Sequence, residues 1–129
     1  GDRDKTKRPM MGKIANKYCD RIYLTDDNPR YENPRTIRSS IRKNINKSKI
    51  YEISNRANAI KKAIFDLKTG DILLVAGKGH EKIQEYKKIK KLFSDQQQIL
   101  KNITIKNKAL SSNLKLNILI ELSNSNNIS

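Results

Sequence analysis

Ile72-Leu73-Leu74-Val75-Ala76 constrains the fold more than any other stretch: an apolar run without alternation, stopped by Gly77-Lys78-Gly79. A strand with one wet face alternates polar and apolar side chains, so a continuous run reads as a strand covered on both faces. Double covering belongs to a parallel sheet flanked by helices. The rest of the chain alternates helix and strand patterns accordingly, so the expected class is α/β with a mostly parallel sheet flanked by helices and right-handed crossovers.

Along the chain, residues 7–18 read as a helix with Pro9 in its first turn and Met11, Ile14, Ala15 and Tyr18 as its apolar stripe. Residues 21–25 follow as a short strand. Asn33 caps a helix with Pro34 at its first position and Ile37, Ile41 and Ile45 on one face, running to about Lys47. Residues 50–53 form a second strand. Residues 56–68 form a helix burying Ala57, Ile60, Ala63, Ile64 and Leu67, which Gly70 ends. Residues 84–93 alternate polar and apolar positions with Lys87-Lys88 and Lys90-Lys91, the pattern of a hairpin or edge strands. Ser94 with Gln97 forms a capping box for a helix burying Ile99, Leu100 and Ile103. Residues 104–129 differ in kind: an amphipathic helix around Leu110 to Leu122, then an Asn/Ser-rich end expected to fray.

At 129 residues the chain suits one compact domain and not two. Gly1-Asp2-Arg3-Asp4 reads as a loop already under way, so a segment of a longer protein is expected. The single cysteine, Cys19, permits no internal disulfide and offers no metal-ligand spacing, which fits a reducing compartment. No signal peptide and no apolar run of about 20 residues is visible, so a cytoplasmic, soluble chain without membrane contact is expected. The net charge of +15 raises nucleic acid as a partner. Yet the lysines are spread over helix faces and the hairpin, stacking aromatics are scarce, and no RNP box or zinc-finger spacing occurs. A basic α/β nucleic-acid-binding module stands as the alternative function, and phosphate attraction alone would carry no sequence preference.

Two loops concentrate chemistry. Thr25-Asp26-Asp27-Asn28-Pro29-Arg30 ends a strand with two carboxylates, an amide and a guanidinium. Gly77-Lys78-Gly79-His80-Glu81 follows the apolar run. Ligands of open α/β sheets bind beyond the carboxyl ends of strands, so both loops can face one pocket. An Arg fork grips a carboxylate, and a Glu with backbone carbonyls suits an ammonium, which together describe an amino-acid site. Each loop also has a plainer reading. The first is a turn with Asp caps, and the second a glycine-relieved turn with Lys78 in solvent and His80 in local hydrogen bonds. The second loop is not a Walker A sequence, and no Gly-x-Gly-x-x-Gly follows a first strand. The charged start, with Arg3, Lys7 and Arg8, meets an anion or forms a surface cluster.

The order and spacing of Gly1-Asp2-Arg3-Asp4-Lys5 with Lys7-Arg8-Pro9-Met10-Met11-Gly12, then Thr25-Asp26-Asp27-Asn28-Pro29-Arg30, Arg56-Ala57 with Ala59-Ile60, Val75-Ala76-Gly77-Lys78-Gly79-His80-Glu81 with Gln84, and Phe93-Ser94-Asp95 closely resemble the C-terminal domain of the Mur ligases. Within that family the resemblance is to the ligases that add meso-diaminopimelate to UDP-N-acetylmuramoyl-L-alanyl-D-glutamate in peptidoglycan synthesis. It covers residues 1–103, taken as the amino-acid-binding domain lacking its first strand; residues 104–129 are taken as an extension. The resemblance implies a Rossmann-like domain within an ATP-dependent, monomeric parent enzyme in which the glutamate side-chain carboxylate is phosphorylated and the diaminopimelate amine attacks it. ATP and Mg2+ would be held mainly by domains outside this chain, which by itself would hold no metal and carry no catalytic group. Matched residue by residue, Asp27, Asn28, Pro29 and Arg30 form the diaminopimelate motif, with Arg30 on the far carboxylate. Gly77 and Glu81 take the far ammonium, and Arg3 also contacts the substrate. Tyr31, Asn33 and Lys82-Ile83 depart from the family pattern.

Overall fold

The computed structural model describes residues 5–78 and 81–126, with side chains described through residue 111. The readings that fall on residues 1–4, 79–80 and 127–129 lie outside the described residues. Two parallel strands and an antiparallel pair are combined with four helices, an α/β architecture as expected.

Helix α1, Lys7–Tyr18, leads into β1, Ile22–Leu24. Helix α2, Pro34–Arg42, then crosses over to β2, Ile50–Glu52, which lies parallel to β1 with Ile22 opposite Ile50 and Leu24 opposite Glu52. Beyond the ladder, Ile53 N donates to Leu24 O at 2.9 Å and Asp26 N to Ser54 O at 3.3 Å, so the pairing carries on into the turn after β1. Asn33 Oδ1 caps α2 by accepting from Arg35 N at 2.9 Å, and Pro34 occupies the first turn, where its missing N–H costs nothing. α2 stops at Arg42, earlier than its apolar spacing predicts. Tight turns follow instead, and Ile45 still reaches the core from them.

Helix α3, Arg56–Asp66, is capped by Asn55 Oδ1 on Asn58 N at 2.9 Å and buries Ala59, Ile60, Ala63 and Ile64. It packs on β1 and on α4, Asp95–Asn126. α4 starts with Ser94 Oγ accepting from Gln97 N at 3.3 Å and runs unbroken past residue 104. Lys106 of α4 donates to Ile64 O at 2.7 Å and to Leu67 O at 2.5 Å. That ammonium satisfies the orphan carbonyls at the end of α3 and meets its dipole favourably.

Further expectations fail in detail. On α4, Leu100 and Ile103, read as buried, are exposed, because the helix buries Asn102 and sends Lys106 to the end of α3 instead. The run 72–76 is not a strand: it makes no ladder, and Ile72 and Leu74 are 94% and 81% exposed. A strand exists only through its partner, and none of the described residues supplies one on that side. On α1, Met11, Ile14 and Tyr18 are exposed, while Arg8 and Gly12 are buried. The reason is close helix approach: a Cβ on Gly12 would lie 2.1 Å from the Ile41 carbonyl oxygen of α2.

That spacing yields a prediction. Gly12→Ala would gain about 1 kcal/mol of helix propensity. Overpacking costs about 1–3 kcal/mol, and a backbone carbonyl cannot rotate aside as a side chain would. The variant is expected to lose on the order of 2 kcal/mol in urea unfolding; an unchanged or raised midpoint would show that α1 and α2 are not spaced by this residue.

Candidate functional site

The two loops meet, and the hairpin of β3, Ile83–Tyr86, and β4, Ile89–Leu92, closes over them. Asp26 is buried and points inward. Its Oδ1 meets the Arg38 guanidinium of α2, and its Oδ2 accepts from Tyr86 Oη at 3.2 Å. Gln84, also buried, donates from Nε2 to Asp27 O at 3.1 Å and to Asp26 O at 3.4 Å. The backbone of the turn is thereby held from β3.

Asp27 Oδ1 accepts from Lys78 Nζ at 2.9 Å. Asn28, buried, accepts at Oδ1 from Lys78 Nζ at 3.0 Å and from Glu85 N at 2.9 Å, and donates from Nδ2 to Glu81 Oε2 at 2.9 Å. Pro29 is fully buried. Gly77 adopts φ 111, open to glycine, with the Asp27 carboxylate close by. Arg30 holds a left-handed backbone at φ 52, pinned by Arg30 N donating to Glu85 O at 3.1 Å and by Lys87 N donating to Arg30 O. Its Nε lies 3.4 Å from Glu85 Oε2.

Arg56, at the first position of α3, binds both carboxylate oxygens of Asp95 at 2.7 Å and donates to Ala76 O at 3.0 Å and Asp26 O at 3.3 Å. Burial alone would push this guanidinium down, but hydrogen bonding and attraction from Asp95 outweigh it and hold it above its ordinary value. Arg8 grips Glu32 at 2.8 and 2.9 Å, which places the start of α1 beside the end of the Asp-Asn-Pro-Arg turn. Arg3 itself lies outside the described residues.

Six of the seven site residues read from sequence are therefore described; of these, Asn28 holds Glu81, Asp27 and Asn28 share Lys78 with the Asp27 carboxylate beside Gly77, Pro29 is buried beneath the turn, and Arg30 stands at the hairpin edge. The local reading of Lys78 as solvated is corrected: its side chain is 0% exposed. Asp26 is likewise not displayed to a ligand. Glu85, Tyr86, Arg38 and Asp95 were not anticipated as parts of the site. The available signal was charge balance: Asp26-Asp27 needed cations, and Lys78 was the cation between the glycines of the second loop.

Among the described residues there is no group of three or more His, Cys, Asp or Glu that could hold a metal ion. No helix among them is long and apolar enough to cross a membrane.

This arrangement belongs to the Mur ligase family: the family profile described as "Mur ligase, glutamate ligase domain" matches residues 1–79, and the chain is a member. The family's enzymes are ATP-dependent ligases. More particularly, the chain is 48% identical over 109 residues to the UDP-N-acetylmuramoyl-L-alanyl-D-glutamate--2,6-diaminopimelate ligase of Rickettsia felis, covering 84% of this chain and 21% of that protein. It is 48% identical over 97 residues to the ligase of the same name from Chlorobaculum tepidum, covering 75% of this chain and 19% of that one. A solved structure of a ligase of this name superposes with TM-score 0.77 at 37% identity, covering 83% of this chain and 22% of the other. The chain thus spans about a fifth of the length of these relatives.

The tie between Asp26 and the hairpin generates a pH prediction. Burial first, then the Asp26 charge and hydrogen bond, push the Tyr86 hydroxyl up to about 12. A raised pKa favours the protonated native form, so this contribution is complete below about pH 10, the unfolded value, and is lost as pH rises toward 12. One proton gives at most about 1.4 kcal/mol per pH unit. Stability of the wild type should fall more steeply above pH 10 than that of Tyr86→Phe; parallel unfolding curves would contradict the tie of this half-buried hydroxyl to Asp26.

Proposed function

We propose that this chain receives and orients the incoming amino acid in an ATP-dependent ligase that joins meso-diaminopimelate to UDP-N-acetylmuramoyl-L-alanyl-D-glutamate. The observation that carries the reading is the paired loop geometry. Asn28 on the first loop holds Glu81 on the second at 2.9 Å, so an acceptor for an ammonium and the Arg30 guanidinium are displayed from one framework. The names of the relatives support the same substrate.

Each residue then has a chemical task. Arg30 meets the carboxylate on the far carbon of diaminopimelate, Glu81 and Gly77 O meet the far ammonium, and Arg3 adds a further cation. Asp27 and Asn28 tie the turn to the second loop through Lys78 and Glu81, Pro29 underpins it, and the hairpin backbone at Glu85 and Lys87 presents Arg30. The near amine is left to react, and the gain is positional. ATP and Mg2+ supply the activation of the acceptor carboxylate when bound, and we assign them to parts of the enzyme beyond the described residues. We also place the enzyme in the cytoplasm as a monomer without specific nucleic-acid contact.

Lysine lacks only the far carboxylate, so substrate choice tests the assignment. Calorimetric titration of the chain should show meso-diaminopimelate bound in preference to lysine. Arg30→Ala should cost on the order of 2 to 4 kcal/mol with diaminopimelate and leave lysine unchanged or improved. Arg30→Lys should recover only part, because a point charge lacks the planar fork. Equal loss with both amino acids would remove Arg30 from the distinguishing carboxylate. Binding of a short duplex DNA in the same cell should vanish at high salt, as generic charge attraction does; salt-resistant duplex binding without diaminopimelate binding would replace the proposal.

A further inference from the structure

Lys78 is the one described cation of the two loops with no path to a ligand. Its side chain is 0% exposed, and its ammonium donates to Asp27 Oδ1 at 2.9 Å, Asn28 Oδ1 at 3.0 Å and Ile83 O at 2.7 Å. Three N–H groups meet three acceptors. Desolvating an ammonium is expensive, and an apolar side chain of similar volume would fill the space at less cost. The position therefore does something that packing does not require.

The arrangement around Asn28 shows what that is. An amide side chain has two ends of almost equal shape, and only its hydrogen-bond partners decide which way it points. Here Lys78 Nζ and Glu85 N both donate toward one end, which must be the oxygen. The reversed amide would set N–H groups against an ammonium and an N–H. With the oxygen fixed, Nδ2 is turned to Glu81 Oε2 at 2.9 Å.

We infer that Lys78 is a positioning residue: it locks the amide of Asn28, whose N–H in turn holds the Glu81 carboxylate where the ammonium of the incoming amino acid binds. The inference rests on the amino-acid reading proposed above. Lys78 does not touch the substrate. Its effect reaches the far ammonium, shared by diaminopimelate and lysine, and not the far carboxylate that separates them.

The signature is consequently opposite to that of Arg30. In titrations of the chain, Lys78→Met should weaken diaminopimelate and lysine by the same factor, about tenfold or more, with their ratio preserved. A change in the ratio, or wild-type affinity for both, overturns the inference. Asn28→Asp guards against a Lys78 variant that does not fold, because Asp keeps an acceptor for Lys78 and for Glu85 N while removing the donor to Glu81. It should melt near the wild-type temperature and show the same parallel loss; wild-type affinity in this variant also overturns the inference. A ligand-free readout separates this relay from the function it serves. The side-chain 1H–15N pair of Asn28 should be protected from solvent exchange in the wild type and lose that protection in Lys78→Met while the backbone spectrum of β1 and β2 persists. Unaltered Asn28 protection refutes the relay. If protection is lost as described but neither amino acid binds the wild type, the relay holds the loop and its assignment to an amino-acid substrate fails with the proposed function.

Discussion

The buried guanidinium of Arg56 is the interaction on which the other arrangements depend. It is 4% exposed, and its donors reach Asp95 at the head of α4, Asp26 O after β1, and Ala76 O before the second loop. These segments are far apart in sequence and share no continuous ladder. A single planar fork fixes their relative position. Removing one partner of a buried pair costs about 3–5 kcal/mol because the other charge is stranded, so the junction has no cheap intermediate state.

A small apolar core makes such ties necessary. Apart from Pro29, the buried apolar residues lie on α3, at the end of β1 and at Ile45, and not in the loops that carry the chemistry. The loops are held by ions instead: Arg38 on Asp26, Lys78 on Asp27 and Arg8 on Glu32. Among the described residues no buried side-chain nitrogen or oxygen lacks a partner. A polar network satisfied to that degree specifies one geometry, whereas a partly satisfied one would be worse than an apolar filling. Much of the large positive charge still faces solvent, on α1, α3 and the hairpin, where lysines need no partner to be tolerated.

Local signals were legible where local physics decides. Asn33 with Pro34 and Ser94 with Gln97 announced two helix starts, and each cap is made as its residue type requires; the cap of α3 by Asn55 is one the sequence reading passed over. The turn at Asp27-Asn28-Pro29-Arg30 and the loop at Gly77 to Glu81 were found from residue chemistry and from family likeness, and the two do meet. What could not be read was decided by neighbours distant in sequence. The run 72–76 has the composition of a covered strand but lacks a ladder partner, and composition says nothing of partners. The apolar stripe of α1 gave way to Gly12 because helix separation is a property of two helices. The inward turn of Asp26 and the burial of Lys78 required knowing that Tyr86, Gln84 and Ile83 come down on them.

The left-handed backbone at Arg30 bears on how this position can change over generations. A residue with a Cβ is strained there by about 1–3 kcal/mol, and glycine would relieve it. A population selected for folding alone would drift toward glycine or asparagine at this point and lose the guanidinium. Holding arginine against that drift requires continuing selection on the side chain, so a lineage released from its substrate should show the loss here early, as a gain in stability rather than as damage.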